Sequence, residues 1–267
     1  MKMLLMLLVL LYFTKGYSQI SISRGIPEDT TTLCSTHIIH PMMVLKRNKT
    51  LAVQSFIIPT VFIGYGFAAL HNHNLLSLNH STSGEIREDN PHFLTGADTY
   101  MQFTPGVAVY ALNLIGIHGK NNFRDRTMIY ALSNIISTAI VFPLKKITHE
   151  ERPDHSNFNS FPSGHTATAF AAAEFLRQEY KGVSAWYGIA GYAVAAATGI
   201  LRMYNNKHWL SDVVAGAGVG IMSTKLAYII YPAIQKKLFK IIPGNAIIMP
   251  YYQNGGGGLA CVYHFHN

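Results

Sequence analysis

The sequence predicts an all-α fold, a six-helix bundle followed by a short C-terminal β-hairpin. Three observations lead there. Six stretches with few or no charges recur along the chain, each of helical length. The linkers between them differ in chemistry, some short and basic, others long, polar and rich in turn residues. The composition is that of a packed apolar chain: 49% of the 267 residues are hydrophobic and 13% charged, with a mean hydropathy of +0.18. That balance lies between a soluble domain and a membrane bundle and is the reverse of a disordered chain.

Residues 51–70 form the first stretch, about one membrane thickness of uncharged sequence. Residues 71–100 are polar, broken by Gly, Asn and Pro, and read as a long surface loop. The second stretch is 103–117, followed by a basic segment at 120–126, and the third is 128–144. A polar loop at 145–163 separates it from a small-residue helix at 166–176 and an uncharged one at 183–201. The sixth, 208–234, is long and Gly/Ala-rich. Within it Gly216, Gly218 and Gly220 alternate with Ala215 and Ala217, a pattern that lets neighbouring helices approach closely. A soluble all-α core uses small residues at crossings in the same way. In the tail, aromatic and β-branched residues at 246–252 and 259–265 flank the glycine run 255–258, which is a hairpin pattern. The expected organisation is a leader at 1–18, an extension at 19–50, a helical domain at 51–234 and a tail at 235–267.

The leader places Lys2 ahead of an apolar run at 3–13, too short for a span of about 20 residues. It reads as a secretory signal peptide cut near Ser18 and Gln19, or else as an uncleaved anchor. Either way the chain is exported to the cell envelope. An oxidising compartment would let Cys34 and Cys261 pair, although two free thiols fit the sequence equally well. Their spacing excludes a cysteine-based zinc site.

Net charge is +8, which suits an anionic partner, but there is no Lys/Arg run of five or more and nucleic acid is not expected. Linkers at 46–49, 120–126, 177–181 and 236–240 carry Lys or Arg. In a six-span bundle they share one side, a positive-inside arrangement. Loops at 71–100, 145–163 and 202–208 then share the opposite, periplasmic side. A cleaved signal conflicts with this, because it leaves residue 19 outside whereas six spans want residue 46 inside. Three solutions remain: the leader stays as an anchor, the first stretch does not span, or the bundle is periplasmic and only leans on the membrane.

Three segments on that external side carry chemistry. In the last, His208 and Asp212 are four apart at the head of an apolar helix, on one face. A carboxylate there can hold the Nδ1 proton of the imidazole and leave Nε2 as nucleophile or base. Asn205 and Asn206 mark a turn that lets Arg202 fold back over the same spot. In the middle segment, Ser163 and Gly164 precede a helix that starts near His165, and helix N-termini hold phosphate well. Gly164 lets backbone approach a ligand, and His165 stands ready to give a proton to a leaving oxygen. In the first segment, Lys145 and Arg152, with Pro153 after them, supply two permanent cations seven residues apart for a phosphoryl dianion. Taken singly, each segment is also readable as a surface His/Asp pair, an ordinary Ser cap or a solvated loop. All three occur in order at one end of the bundle, and that combination is what makes the signal specific.

Here the chain resembles the type 2 phosphatidic acid phosphatase superfamily, which includes vanadium haloperoxidases and bacterial acid phosphatases. Lys145, Arg152 and Pro153 match its first motif; Pro162, Ser163, Gly164 and His165 its second; Arg202, His208 and Asp212 its third. The resemblance covers about 120–232. Leu201 departs from it, standing where the family usually has Ser. The resemblance implies that His208 attacks phosphorus, Asp212 orients it, and His165 protonates the leaving alcohol and then activates water. Lys145, Arg152, Ser163, Gly164 and Arg202 would bind the phosphoryl oxygens in place of a metal, so no cofactor is expected and vanadate should inhibit. The implied substrate is a lipid-linked phosphate or pyrophosphate. Three alternatives stay open: lipid phosphotransferase, soluble periplasmic acid phosphatase or haloperoxidase, and a non-catalytic anion-binding membrane protein. The last has no use for His165, His208 and Asp212 together.

Overall fold

A computed structural model of the protein describes residues 54–239, 246–253 and 256–263. The leader at 1–18, the whole of the extension at 19–50 and, with Cys34, the cysteine pairing lie outside the described residues. Eight helices are present among the described residues: α1 Ile57–Ala69, α2 His73–Asp89, α3 Ala97–Met101, α4 Thr104–Leu114, α5 Phe123–Thr148, α6 Gly164–Tyr180, α7 Ala185–Tyr204 and α8 Leu210–Phe239. Two strands follow, β1 Ala246–Gln253 and β2 Gly256–Tyr263, paired antiparallel with Ala246 opposite Tyr263 and Gln253 opposite Gly256.

The expected count of six helices is corrected, because residues 71–100 are not a loop. They hold α2 and the short α3. Asn72 caps α2, its side chain accepting from the Asn74 and Leu75 amides. The helix escapes a pattern search because it buries only Asn79 and Ile86, too few positions to generate an apolar period. Asn79 is instead a polar anchor: its amide donates to Ser211 Oγ at 2.8 Å and its carbonyl accepts from the Ser211 N–H at 3.2 Å. Ile86 packs with Met203, Leu210 and Val213. These contacts fasten α2 to the start of α8.

Helix α6 is the axis of the bundle, with Ala167, Ala169, Ala171, Ala172 and Ala173 all buried. The glycines of α8 explain how closely its neighbours approach. A Cβ on Gly216 would stand 2.5 Å from the Ser163 carbonyl, and one on Gly220 would collide with the Ala167 carbonyl. Gly218, on another face, is closed off by Pro59 of α1. Four-residue spacing turns Gly216 and Gly220 towards α6, so backbone packs on backbone where α6 begins.

Hydrogen bonds divide the polar residues between two ends. One joins 113–126, 174–181 and 228–235, for example through Asn121 to Glu179 and Tyr231 to Asp125. The other joins 95–98, 145, 150–163 and 202–212. All three chemistry-bearing segments meet at the second.

Candidate active site

Lys145 and Arg202 do not lie in loops, as the sequence suggested, but in the last turns of α5 and α7. Helix α5 ends at His149 in the left-handed conformation, φ 48°. The chain then runs through a loop pinned at several points. The Arg152 amide donates to Asn157 O, the Ser160 amide to Glu150 O, the Trp209 indole to Glu151 O at 2.8 Å, and Lys207 Nζ to Asp154 Oδ2 at 2.5 Å. The Lys145 ammonium donates to the carbonyls of Asn159 and Ser160, at 2.5 and 3.2 Å. An ammonium has three donors, so one remains.

Ser163 caps α6, its hydroxyl accepting from the Thr166 amide at 3.4 Å and from Thr166 Oγ1 at 2.9 Å. The side chain is fully buried and committed to the cap. What the helix end offers an anion is therefore the first-turn amides of Gly164 and His165, which have no intrahelical acceptor. A Cβ on Gly164 would meet only Val141 Cγ1, at 3.9 Å. No protein atom demands glycine there, so the requirement for a bare backbone falls on the ligand side.

His208 precedes α8 rather than standing on it, which corrects the same-face argument. Asp212 is the third residue of the helix, and its Oδ2 reaches back to accept from the Trp209 amide at 2.9 Å, half of a capping box. The same oxygen lies 3.3 Å from His208 Nδ1 and accepts from Ser160 Oγ. Ser160 Oγ is in turn 3.5 Å from that Nδ1. Cap, carboxylate and serine together hold the ring through Nδ1. His208 is 3% exposed and Asp212 0%.

Arg202 Nη1 donates to Asp98 Oδ2 at 2.6 Å, an ion pair whose two side chains are both nearly buried. Asp98 belongs to α3, which the Asn205 side chain helps to hold by bonding both the amide and the carbonyl of Thr95. Among the described residues, three buried side-chain polar atoms have no hydrogen-bond partner: Arg152 Nε, Arg202 Nε and Asp212 Oδ1. All three belong to motif residues. A buried unpartnered donor costs about 1–3 kcal/mol. Burial, reinforced by the charges of Lys145, Arg202 and Arg152, holds the His208 imidazole well below its usual range. Burial and Arg202 likewise lower His165, with Asp98 opposing. Both rings are therefore neutral at neutral pH in the free site.

All eight expected residues, Lys145, Arg152, Ser163, Gly164, His165, Arg202, His208 and Asp212, come together. Reasoning from sequence missed Ser160 and Asp98. Ser160 stands two residues before the second motif, and only its neighbour in space reveals a role. Asp98 is 104 positions from Arg202, without any local pattern to tie them.

Residues 126–236 match the family model of the PAP2 superfamily. The PAP2 segment contains all eight of those residues, whereas Asp98 and α2 lie ahead of it. The chain is similar to the lipid A 1-phosphatase of Porphyromonas gingivalis, 41% identical over 137 residues, which is 51% of this chain and 31% of that protein. It is similar also to the lipid A 1-phosphatase of Rhizobium johnstonii, 37% identical over 92 residues, 33% of this chain and 34% of that one. It thus spans about a third of the length of these curated relatives. Among solved structures, the transmembrane PAP2-type phosphatidylglycerolphosphate phosphatase of Bacillus subtilis overlaps 72% of this chain and 98% of its own, with a TM-score of 0.46 and 22% identity.

Proposed function

We propose that the protein is a metal-independent phosphatase that hydrolyses a lipid-linked phosphate through a phosphohistidine on His208. The observation that carries this reading is the pair of buried, unpartnered guanidinium donors, Arg152 Nε and Arg202 Nε. Two guanidinium Nε–H donors, aimed into one site beside a neutral buried imidazole, match a phosphoryl group. The lipid A 1-phosphatase relatives support a lipid-linked substrate.

In the proposed reaction Nε2 of neutral His208 attacks phosphorus, and the bond from phosphorus to the leaving oxygen breaks. His165 gives its proton to that oxygen. The free site lowers His165, but a bound phosphate dianion brings the negative charge that raises it again, so substrate itself arms the acid. Water then loses a proton to His165 and attacks phosphorus, and the N–P bond breaks. Asp212 stabilises the positive charge that His208 carries as the phosphohistidine forms. Lys145, Arg152, Arg202 and the amides at the start of α6 neutralise the equatorial oxygens, the task a metal performs elsewhere.

Two helices, Phe123–Thr148 and the segment Leu210–Lys236 of α8, are long and apolar enough to cross a membrane. Most of the second, 67% of its apolar stretch, is buried, as a core helix would be, but only 22% of the first is. Ile135 and Phe142 of α5 stay 64% and 62% exposed among the described residues. Lipid is the solvent that suits them, and we place the site on the periplasmic side, away from the basic end.

The test is phosphate release by detergent-purified protein from a panel of lipid phosphates and pyrophosphates, with and without EDTA. Activity should survive EDTA and be inhibited by vanadate. Loss in chelator, restored by a divalent metal, would contradict the mechanism. Full release from membranes by carbonate would remove the spanning helices and leave the chemistry standing.

A further inference from the structure

Two contacts tie the segment that carries His208 to the loop that carries Arg152. The indole of Trp209 donates to the Glu151 carbonyl at 2.8 Å, and Lys207 Nζ donates to Asp154 Oδ2 at 2.5 Å. Lys207 and Trp209 are the two chain neighbours of His208. Glu151 is the neighbour of Arg152, and Asp154 stands two residues beyond it. The contacts therefore flank His208 on one segment and Arg152 on the other, and neither uses the side chain of His208 or Arg152.

The Arg152 backbone is otherwise held within its own loop. Its amide donates to the Asn157 carbonyl at 3.1 Å, and its carbonyl accepts from the His155 amide at 3.0 Å. The indole bond fixes that turn to the head of α8. His155 and Asn206, next to the Asp154–Lys207 pair, hold left-handed backbone at φ 56° and 57°. A residue with a side chain keeps that conformation when its surroundings impose it. The two contacts are unequal. The Lys207 and Asp154 side chains stay 34% and 19% exposed, so salt screens their pairing. The indole bond is neutral and aimed at backbone, and its ring is braced edge-on at 4.8 Å by His80 of α2. The Trp209 amide also meets the Asp212 carboxylate beside His208. Arg152 Nε has no partner among the described residues, so the path of the loop, rather than a bond at that atom, sets where the donor sits.

We propose that Trp209 is a positioning residue for phosphoryl transfer: its indole sets Arg152 against His208, and Lys207 adds a weaker second point of attachment. This rests on the phosphatase reading, in which Arg152 and His208 meet the same phosphoryl group. It also gives α2 a part in the site, as the support of the indole.

The experiment uses the full-length protein in detergent and compares wild type, Trp209→Phe, Arg152→Met and the double variant. Phenylalanine removes the indole N–H but keeps an aromatic ring and the backbone amide that caps α8. The readouts are p-nitrophenyl phosphate kinetics and inhibition by vanadate. Trp209→Phe should lower kcat about tenfold, change KM less than about twofold and weaken vanadate inhibition about tenfold. A merely structural role would lower the active fraction and leave the vanadate constant at its wild-type value; that result overturns the proposal. In the Arg152→Met background, adding Trp209→Phe should change the vanadate constant less than about twofold. A further tenfold loss there would show that the indole does not act through Arg152 and would overturn it too. Lys207→Met should weaken vanadate about threefold at low salt, an effect that salt removes. A larger loss than that of Trp209→Phe overturns the assignment to the indole. If wild type does not hydrolyse p-nitrophenyl phosphate or phosphatidic acid in micelles, the catalytic reading has failed, and calorimetry of vanadate with the same four proteins decides the positioning role separately. Coupled losses support it; additive losses, or no binding to wild type, overturn it.

Discussion

Both polar ends of this bundle bury charge among helices, yet they resolve it differently. At the basic end Glu174, fully buried, accepts from Arg177 through both oxygens, from Gln178 and from Tyr192, and pairs with Lys225 at 3.2 Å. Glu179 is held by Asn121 and Tyr228, and the Arg126 guanidinium by the Asn121 carbonyl. Each of these buried groups has its partner among the described residues. At the motif end, among the described residues, Lys145, Arg152 and Arg202 converge with one carboxylate in ion-pair contact, Asp98 on Arg202, and two Nε–H groups stay unpartnered. A closed network fixes helices to one another; an open cationic one is suited to an anion that is not part of the chain.

That contrast can be broken at several points. The largest effect is expected from His208→Ala, which should cut kcat by at least about 10³-fold and abolish covalent phosphate labelling, with the fold retained. Labelling that persists would move the nucleophile elsewhere. Glu174→Ala should act in the opposite manner. It strands Arg177 and Lys225 and should cost about 3–5 kcal/mol in denaturant unfolding in micelles, while activity per folded molecule is unchanged. Arg152→Met should reverse the pattern again: about 10²-fold lower kcat, with stability unchanged or raised by about 1 kcal/mol, because the buried Nε–H it removes has no partner and is itself costly.

A pH titration sharpens the same point. The usual histidine value is 6.5, and His208 lies well below it. The neutral ring is the nucleophile, so the acid limb of kcat/KM due to His208 should fall below pH 6.5. In Arg152→Met one depressing cation is gone, and this limb should move up in pH. The unfolded chain takes up its proton at higher pH than the native one does, so stability should fall as pH drops below 6.5. NMR of labelled histidine reads both. The smallest effect is expected from Ser160→Ala: about a tenfold loss in kcat with KM unchanged, since Asp212 keeps its Trp209 amide and loses one donor. No loss at all would make Ser160 a packing residue.

Composition and spacing were enough to determine that helices dominate, that Gly216 and Gly220 mark a close crossing, and which eight residues share an end. Those signals are local: apolar runs, turn residues, and charges or histidines at short fixed intervals. The sequence reading failed wherever the determining contact was distant. Helix α2 shows no apolar period because Asn79 and a single Ile86 anchor it, and so it read as a loop. His208 looked helical by its spacing to Asp212, but Asp212 spends its carboxylate on capping the helix at Trp209, which leaves His208 outside. Asp98, Ser160 and Trp209 acquire their roles only when α3, the 150–163 loop and α2 are brought against α7 and α8. The residue types at the motif end were set by the chain alone. Which donors stay unpartnered there was decided by tertiary packing, because hydrogen-bond satisfaction is a property of neighbours in space and has no period along the sequence.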